Sequence, residues 1–183
     1  SNENIKGIYL HPKVLTASYA SLEEIRKTLM DFKASGKWII AYGDQYTQDM
    51  YYLASVADKI IVNPQGTISW HGLASQSIFF KDVLNKLGIE MQIFKVGTYK
   101  SAVEPFIATE MSPANREQVT AFLHSTWNQI ISDIAASRSM STDELNNLAD
   151  QLMDLKPAEE YIANGMADTL MYQDEVLSFL KVK

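Results

Sequence analysis

The residues best suited to chemistry lie in one run, Lys95-Val96-Gly97-Thr98-Tyr99-Lys100-Ser101-Ala102-Val103-Glu104-Pro105-Phe106. Lys100 sits among Tyr, Ala, Val, Pro and Phe, company in which an ammonium group can lose its water. Desolvation disfavours the charged form and lowers a lysine pKa from its ordinary value of about 10.4. A lysine that is neutral near pH 7 can take a proton from a serine hydroxyl, so Lys100 is a candidate general base. Lys95 reads as structural, on the strand leading into the run. Ser101 adjoins Lys100, but neighbouring side chains diverge in both strand and helix, so it reads as a local helix cap rather than a nucleophile. Glu104 either orients the lysine loop or forms a surface or interdomain ion pair. Tyr99 and Phe106 read as packing that keeps water from Lys100, and Pro105 fixes the turn beyond it. Taken alone, a lysine at a strand's end is ordinarily solvated surface, and these residues by themselves leave that reading open.

Other chemistries find little support. The three histidines are His11, His71 and His124. No two are spaced i, i+3 or i+4 and no HExxH pattern occurs, so neither a metal site nor a Ser-His-Asp triad is expected, and no cofactor is called for. His71, beside an apolar strand, reads as a hydrogen-bonded structural residue. The absence of Cys excludes disulfides, thiolate metal sites and cysteine nucleophiles. The net charge of −6 comes from scattered acidic residues, with none of the basic striping a nucleic-acid surface requires. No apolar stretch approaches the roughly 18 residues of a membrane span, and no signal peptide is read. Ser1-Asn2 reads as an expression-tag remnant, which makes the chain an excised piece.

The elements that must position Lys100 are read from periodicity. With 183 residues, 46% of them hydrophobic, the chain suffices for a single domain over 1–183 with a substantial core. Residues 7–10 form a short apolar strand. A capping box at 21–24 opens a helix carrying Leu22, Ile25, Leu29 and Phe32, closed by Gly36. Residues 38–42 form a buried strand, and Gly43-Asp44 turns into a helix with Met50, Tyr51, Leu53, Ala54 and Val56, a face that reads as core. Thr47 is its N-cap. The next strand, 59–62, ends at the turn Asn63-Pro64-Gln65-Gly66, and a short strand follows at 67–70. Ser69, Trp70, Gly72 and Leu73 read as strand and turn packing in preference to a substrate groove. A helix over 78–87 precedes Gly88, and 89–96 reads as another strand. Beyond Lys100 the pattern is helical. Ser112 caps, Pro113 takes the first helical position, and Val119, Phe122, Leu123, Trp127, Ile130, Ile131 and Ile134 form an apolar stripe. A second capping box at 141–144 starts a helix through Leu145, Leu148 and Leu152. Helices at 157–161 and 174–180 complete the chain. Repeated strand-helix units imply a mainly parallel sheet covered by helices, with a mostly helical C-terminal part.

The Lys100 run resembles the lysine-bearing segment of the bacterial signal peptide peptidase A (protease IV) family in its long, two-domain form. Tyr51-Tyr52-Leu53-Ala54-Ser55, Asn63-Pro64-Gln65-Gly66, His71-Gly72 and Met111-Ser112-Pro113-Ala114 follow that family's order in its N-terminal half. The resemblance implies a crotonase-like (ClpP-like) α/β fold and a serine endopeptidase of the Ser-Lys type that degrades cleaved signal peptides. It implies that this chain is the lysine-donating half, with Lys100 the general base and Tyr99, Ser101 and Glu104 in support. The nucleophilic serine then belongs to a homologous C-terminal half. The family's serine segment aligns with Thr47-Gln48-Asp49-Met50-Tyr51, where Gln48 stands at the serine position without the flanking glycines. Gln48 is thus a degenerate nucleophile position. The glycine-rich oxyanion turn aligns with His11-Pro12-Lys13-Val14-Leu15, which has no glycine, and Pro12 lacks an N–H. The resemblance further implies a homo-oligomer on the outer, periplasmic face of the bacterial cytoplasmic membrane. The fragment alone is expected to be inactive, with Lys100 open to solvent.

Two other readings compete. A non-catalytic assembly domain of the same protease accounts for the missing nucleophile and oxyanion turn but not for the intact lysine motif. An acyl-coenzyme A enzyme on a crotonase-like fold needs paired backbone N–H donors, and the glycine-poor loops at 11–15 and 45–50 speak against it.

Overall fold

A computed structural model describes residues 4–94 and 96–183. Ser1-Asn2 and Lys95, for which a tag and a structural role were expected, lie outside the described residues. Strands β1 (Gly7–Leu10), β2 (Trp38–Tyr46), β3 (Lys59–Ile68) and β4 (Thr169–Leu170) form one parallel sheet in the order β1-β2-β3-β4. Parallel neighbours need crossover connections. Helix α1 (Tyr19–Ala34) joins β1 to β2, and helix α2 (Gln48–Ala54) joins β2 to β3. Both faces of such a sheet are covered, which is why the centres of β2 and β3 are near-continuous apolar runs. Ile39, Ile40, Ala41, Tyr42, Ile60, Ile61 and Val62 are all buried.

Helices α3 (Lys81–Lys86), α4 (Glu104–Ile107) and α5 (Pro113–Arg138) follow, then α6 (Thr142–Ala149), α7 (Ala158–Ala163) and α8 (Gln173–Leu180). The chain divides into two compact units. One holds the residues up to Gly72 with Gln129–Lys183, and the other is Leu73–Asn128. In the first, α8 lays Val176 on Ile40, Tyr42 and Ile61, with Phe179 and Leu180 packed alongside.

Several sequence expectations are corrected. Helix α1 starts earlier than the capping box at 21–24 suggested, because Ser18 is the cap and its hydroxyl accepts from the Ser21 amide at 3.3 Å. Strand β2 runs past Gly43-Asp44 to Tyr46. The turn at 63–66 does not end a strand. It is a bulge inside β3, with pairing resumed at Gln45 and Thr67. Gly66 is required there, since a Cβ would lie 2.5 Å from the Asp44 carbonyl oxygen. The helix expected over 78–87 is confined to 81–86. The strand expected at 89–96 is not formed at 89–94 or 96, where no neighbouring strand completes a ladder and Phe94 is 98% exposed. Helix α6 stops at Ala149, and Leu152 takes a positive φ of 50°. The capping box at 141–144, the Ser112 cap and Pro113 at the start of α5 stand as read.

Arg26 ties three helices of the first unit together. Its buried guanidinium donates to the Tyr52 carbonyl, the Ser55 hydroxyl (2.6 Å), the Asp133 carbonyl (2.7 Å) and the Ser137 hydroxyl (2.6 Å). It also lies 4.9 Å over the Tyr52 ring, whose hydroxyl donates to the Asp133 carboxylate. A second link fastens β4 to the sheet. Arg138 donates to both Asp168 carboxylate oxygens, at 2.8 and 3.0 Å, and Asp168 accepts the Ile60 amide at 2.7 Å. Burial pushes the Asp168 carboxyl upward, but the hydrogen bonds from Arg138 and Ile60 outweigh it and hold its pKa below the ordinary value.

Two outcomes are expected. Arg26→Ala leaves buried acceptors unsatisfied and lowers unfolding stability by about 3 kcal/mol, read by urea denaturation; a change of about 0.5 kcal/mol or less, typical of a surface site, contradicts the network. The depressed Asp168 pKa stabilises the fold above the unfolded-state value of about 3.9, and this is lost as pH falls through the lower folded value. Asp168→Asn therefore has a shallower acid limb in a plot of Tm against pH, and identical limbs would refute this.

Candidate functional site

Lys100 lies in the second unit, on the segment between α3 and α4, and its side chain is exposed. An open groove of about 640 Å³ runs beside it, lined by Phe94, Val96, Tyr99, Ala102, Val103 and Gln118 together with Lys100 and Ser101. Among the described residues the lining is mainly apolar, with the Lys100 ammonium group at its edge. Tyr99 is 52% exposed and donates to Glu117 at 3.3 Å. Phe106 is 41% exposed and stacks on Phe80 with centroids 6.0 Å apart. Neither ring shields Lys100 from water here, contrary to the expectation for them. Burying the lysine requires a further surface, because apolar neighbours desolvate an amine only when they close over it.

Ser101 does not cap with its side chain. Val103 is the N-cap residue of α4, and Ser101 contributes its carbonyl, which accepts the Glu104 amide at 2.9 Å. Glu104 is buried, 4% exposed, rather than a surface group. Its carboxylate accepts from the Ser112 hydroxyl at 2.5 Å, the Ser112 amide at 3.2 Å and the Asn115 side chain at 2.9 Å. Glu104 and Ser112 stand out in the sequence only separately, one in the lysine run and the other as a helix cap. What joins them is the loop between, whose return to Glu104 has no sequence signature.

Open α/β sheets place their sites at the carboxyl ends of their strands, and Gln48 lies at such an end, shortly after β2. Gln48 starts α2, is buried, and has both halves of its amide engaged. Its Nε2 donates to the Tyr19 hydroxyl (3.2 Å) and the Gly72 carbonyl (3.1 Å), and its Oε1 accepts the amides of His71 (3.2 Å) and Gly72 (3.1 Å). An amide so engaged has no nucleophilic capacity. Burial is the main cause raising the Tyr19 hydroxyl pKa to about 12. Thr47 caps α2 by accepting the Met50 amide at 3.4 Å. His11, after β1, packs its ring 5.2 Å from Tyr42 and 5.7 Å from Tyr9. His71 is exposed and contributes its backbone. Trp70 is wholly buried, with its indole N–H on the Leu145 carbonyl at 2.8 Å, which supports packing over a groove. Met50, Tyr51 and Tyr52 are core. Among the described residues no His, Cys, Asp and Glu group is arranged to hold a metal ion. None of their helices is long and apolar enough to cross a membrane.

Comparison with known proteins places these features. Residues 31–183 match Peptidase family S49. The chain is 42% identical over 154 residues to "Protease 4" of Salmonella typhi, covering 84% of this chain and 25% of that protein. It is 39% identical over 154 residues to "Protease 4" of Haemophilus influenzae, covering 83% and 25%. It is 28% identical over 177 residues to "Serine protease SPPA, chloroplastic" of Arabidopsis thaliana, covering 97% and 26%. The chain thus spans about a quarter of the length of these relatives. Its parallel, helix-covered sheet is of the crotonase-like (ClpP-like) α/β class. The chain belongs to peptidase family S49.

Gln48 is expected to be structural. Gln48→Ser should lower unfolding stability by about 1–3 kcal/mol, the consequence of leaving the Gly72 groups unpaired, and should create no peptide hydrolysis in this chain. Peptidase activity in the purified variant, absent from the wild-type chain, would reverse the assignment.

Proposed function

We propose that this chain is the lysine-donating half of a Ser-Lys endopeptidase that degrades cleaved signal peptides. The observation that carries the reading is Lys100, exposed at the edge of an apolar groove, within a unit whose serine-position counterpart is a hydrogen-bonded glutamine elsewhere in the chain. A base without a nucleophile needs one from outside. The C-terminal half of the same protease supplies it, and its docking covers Lys100. Burial then disfavours the ammonium, and the neutral amine takes the serine proton as the hydroxyl attacks the peptide carbonyl. The same group returns the proton to the leaving amine. Phe94, Val96 and Val103 beside the lysine suit an extended peptide with apolar side chains.

In this reading the full-length protein is a homo-oligomer on the outer face of the cytoplasmic membrane. The isolated chain is inactive, because neither a nucleophile nor an oxyanion hole completes it. The glycine-free turn at 11–15 and the engaged Gln48 support placing both in the other half. A purely architectural role is the second reading, favoured by the same engaged Gln48.

In the full-length protein, Lys100→Ala should lower kcat on a signal-peptide-like substrate by roughly 10²–10⁴-fold, the usual contribution of a general acid-base group. Circular dichroism establishes that both proteins are folded. Unaltered turnover would leave this chain as architecture and place the base elsewhere.

A further inference from the structure

We propose that Glu104 is a positioning residue for Lys100, acting through the start of α5; the inference rests on the reading of Lys100 as the general base. Three observations converge within Leu73–Asn128. The first is the Glu104 carboxylate, 4% exposed and holding three donors from Ser112 and Asn115. A buried carboxylate is costly unless its oxygens are hydrogen-bonded, so these bonds favour the chain from 104 to 112 closed upon itself. The second is its backbone. The Glu104 amide binds the Ser101 carbonyl at 2.9 Å, and its carbonyl accepts the Ala108 amide at 2.8 Å. One residue therefore sets both the turn just after Lys100 and the loop returning to α5. The third lies before the lysine, where Tyr99 donates to Glu117 on α5 at 3.3 Å.

Lys100 is thus framed on both sides by ties to the first turns of a 26-residue helix, while its own side chain stays exposed. Ser112 serves twice, since its hydroxyl also accepts the Asn115 amide at 3.2 Å and caps α5. The frame matters because an acid-base group displaced by about 1 Å can lose 10²-fold in rate.

Two substitutions separate a geometric role of this carboxylate from one of charge. Glu104→Gln keeps a carbonyl oxygen for the Ser112 and Asn115 N–H groups. Its NH₂ donates to the Ser112 hydroxyl, which turns its own proton away. Glu104→Ala leaves those donors without their acceptor.

The experiment uses full-length wild type, Glu104→Ala, Glu104→Gln and Lys100→Ala. It measures kcat and KM on a signal-peptide-like peptide, and amide hydrogen exchange over 97–112 by mass spectrometry. Glu104→Ala is expected to lose roughly 10- to 100-fold in kcat, with KM little changed, and to exchange faster over 97–112 while β2 and β3 keep wild-type rates. Glu104→Gln restores both kcat and protection. Wild-type kcat and exchange in Glu104→Ala overturn the proposal, as does a Gln variant impaired like Ala. If Lys100→Ala keeps its turnover, the base assignment fails on its own. Faster exchange in Glu104→Ala then still supports the tie, and wild-type exchange refutes it.

Discussion

The Arg26 guanidinium is drawn out of water and must find its hydrogen bonds inside the protein. It does so by reaching two carbonyls and two hydroxyls on α2 and α5 from its place on α1. Burial lowers its pKa from the ordinary arginine value, yet an arginine remains charged at any working pH. An enclosed cation tolerates little displacement of its acceptors, so the three helices are held in register. The sheet beneath contributes non-directional apolar burial, which alone would allow the helices to slide.

The same requirement acts at two other buried polar groups, and these bear on function. At Gln48 it ties the start of α2 to residues 71–72, because an amide must satisfy both its donor and its acceptor. The Gly72 backbone is held there at both its N–H and its carbonyl. At Glu104 it gathers the segment after Lys100 onto α5. Each group is fixed by polar satisfaction within its own unit.

Legibility from sequence followed the range of the interactions. The capping box at 141–144 was readable because its partners lie three residues apart, and both of its hydrogen bonds form. The equally good pattern at 21–24 misled, because Ser18 offered the same chemistry one turn earlier and the helix extended to it. Asn63-Pro64-Gln65-Gly66 had every mark of a terminating turn. Nothing local reveals that Thr67 and Ile68 resume pairing with Gln45 and Tyr46. The apolar run at 89–94 read as a strand, but a strand exists only where a neighbour offers its ladder. The motif around Lys100 was visible at once, whereas the burial of Glu104 depended on a loop closing over it.

The sequence alone determined the α/β class, the strand-helix alternation, the main helix caps and the lysine motif. These rest on periodicity and short-range hydrogen bonds, which one chain segment carries by itself. Tertiary structure decided that Lys100 is open, that Glu104 is buried beneath Ser112 and Asn115, and that Gln48 is engaged on all sides. Burial and polar pairing belong to the space between segments distant in sequence. No single segment encodes which partner will arrive there, so only the folded chain settles them.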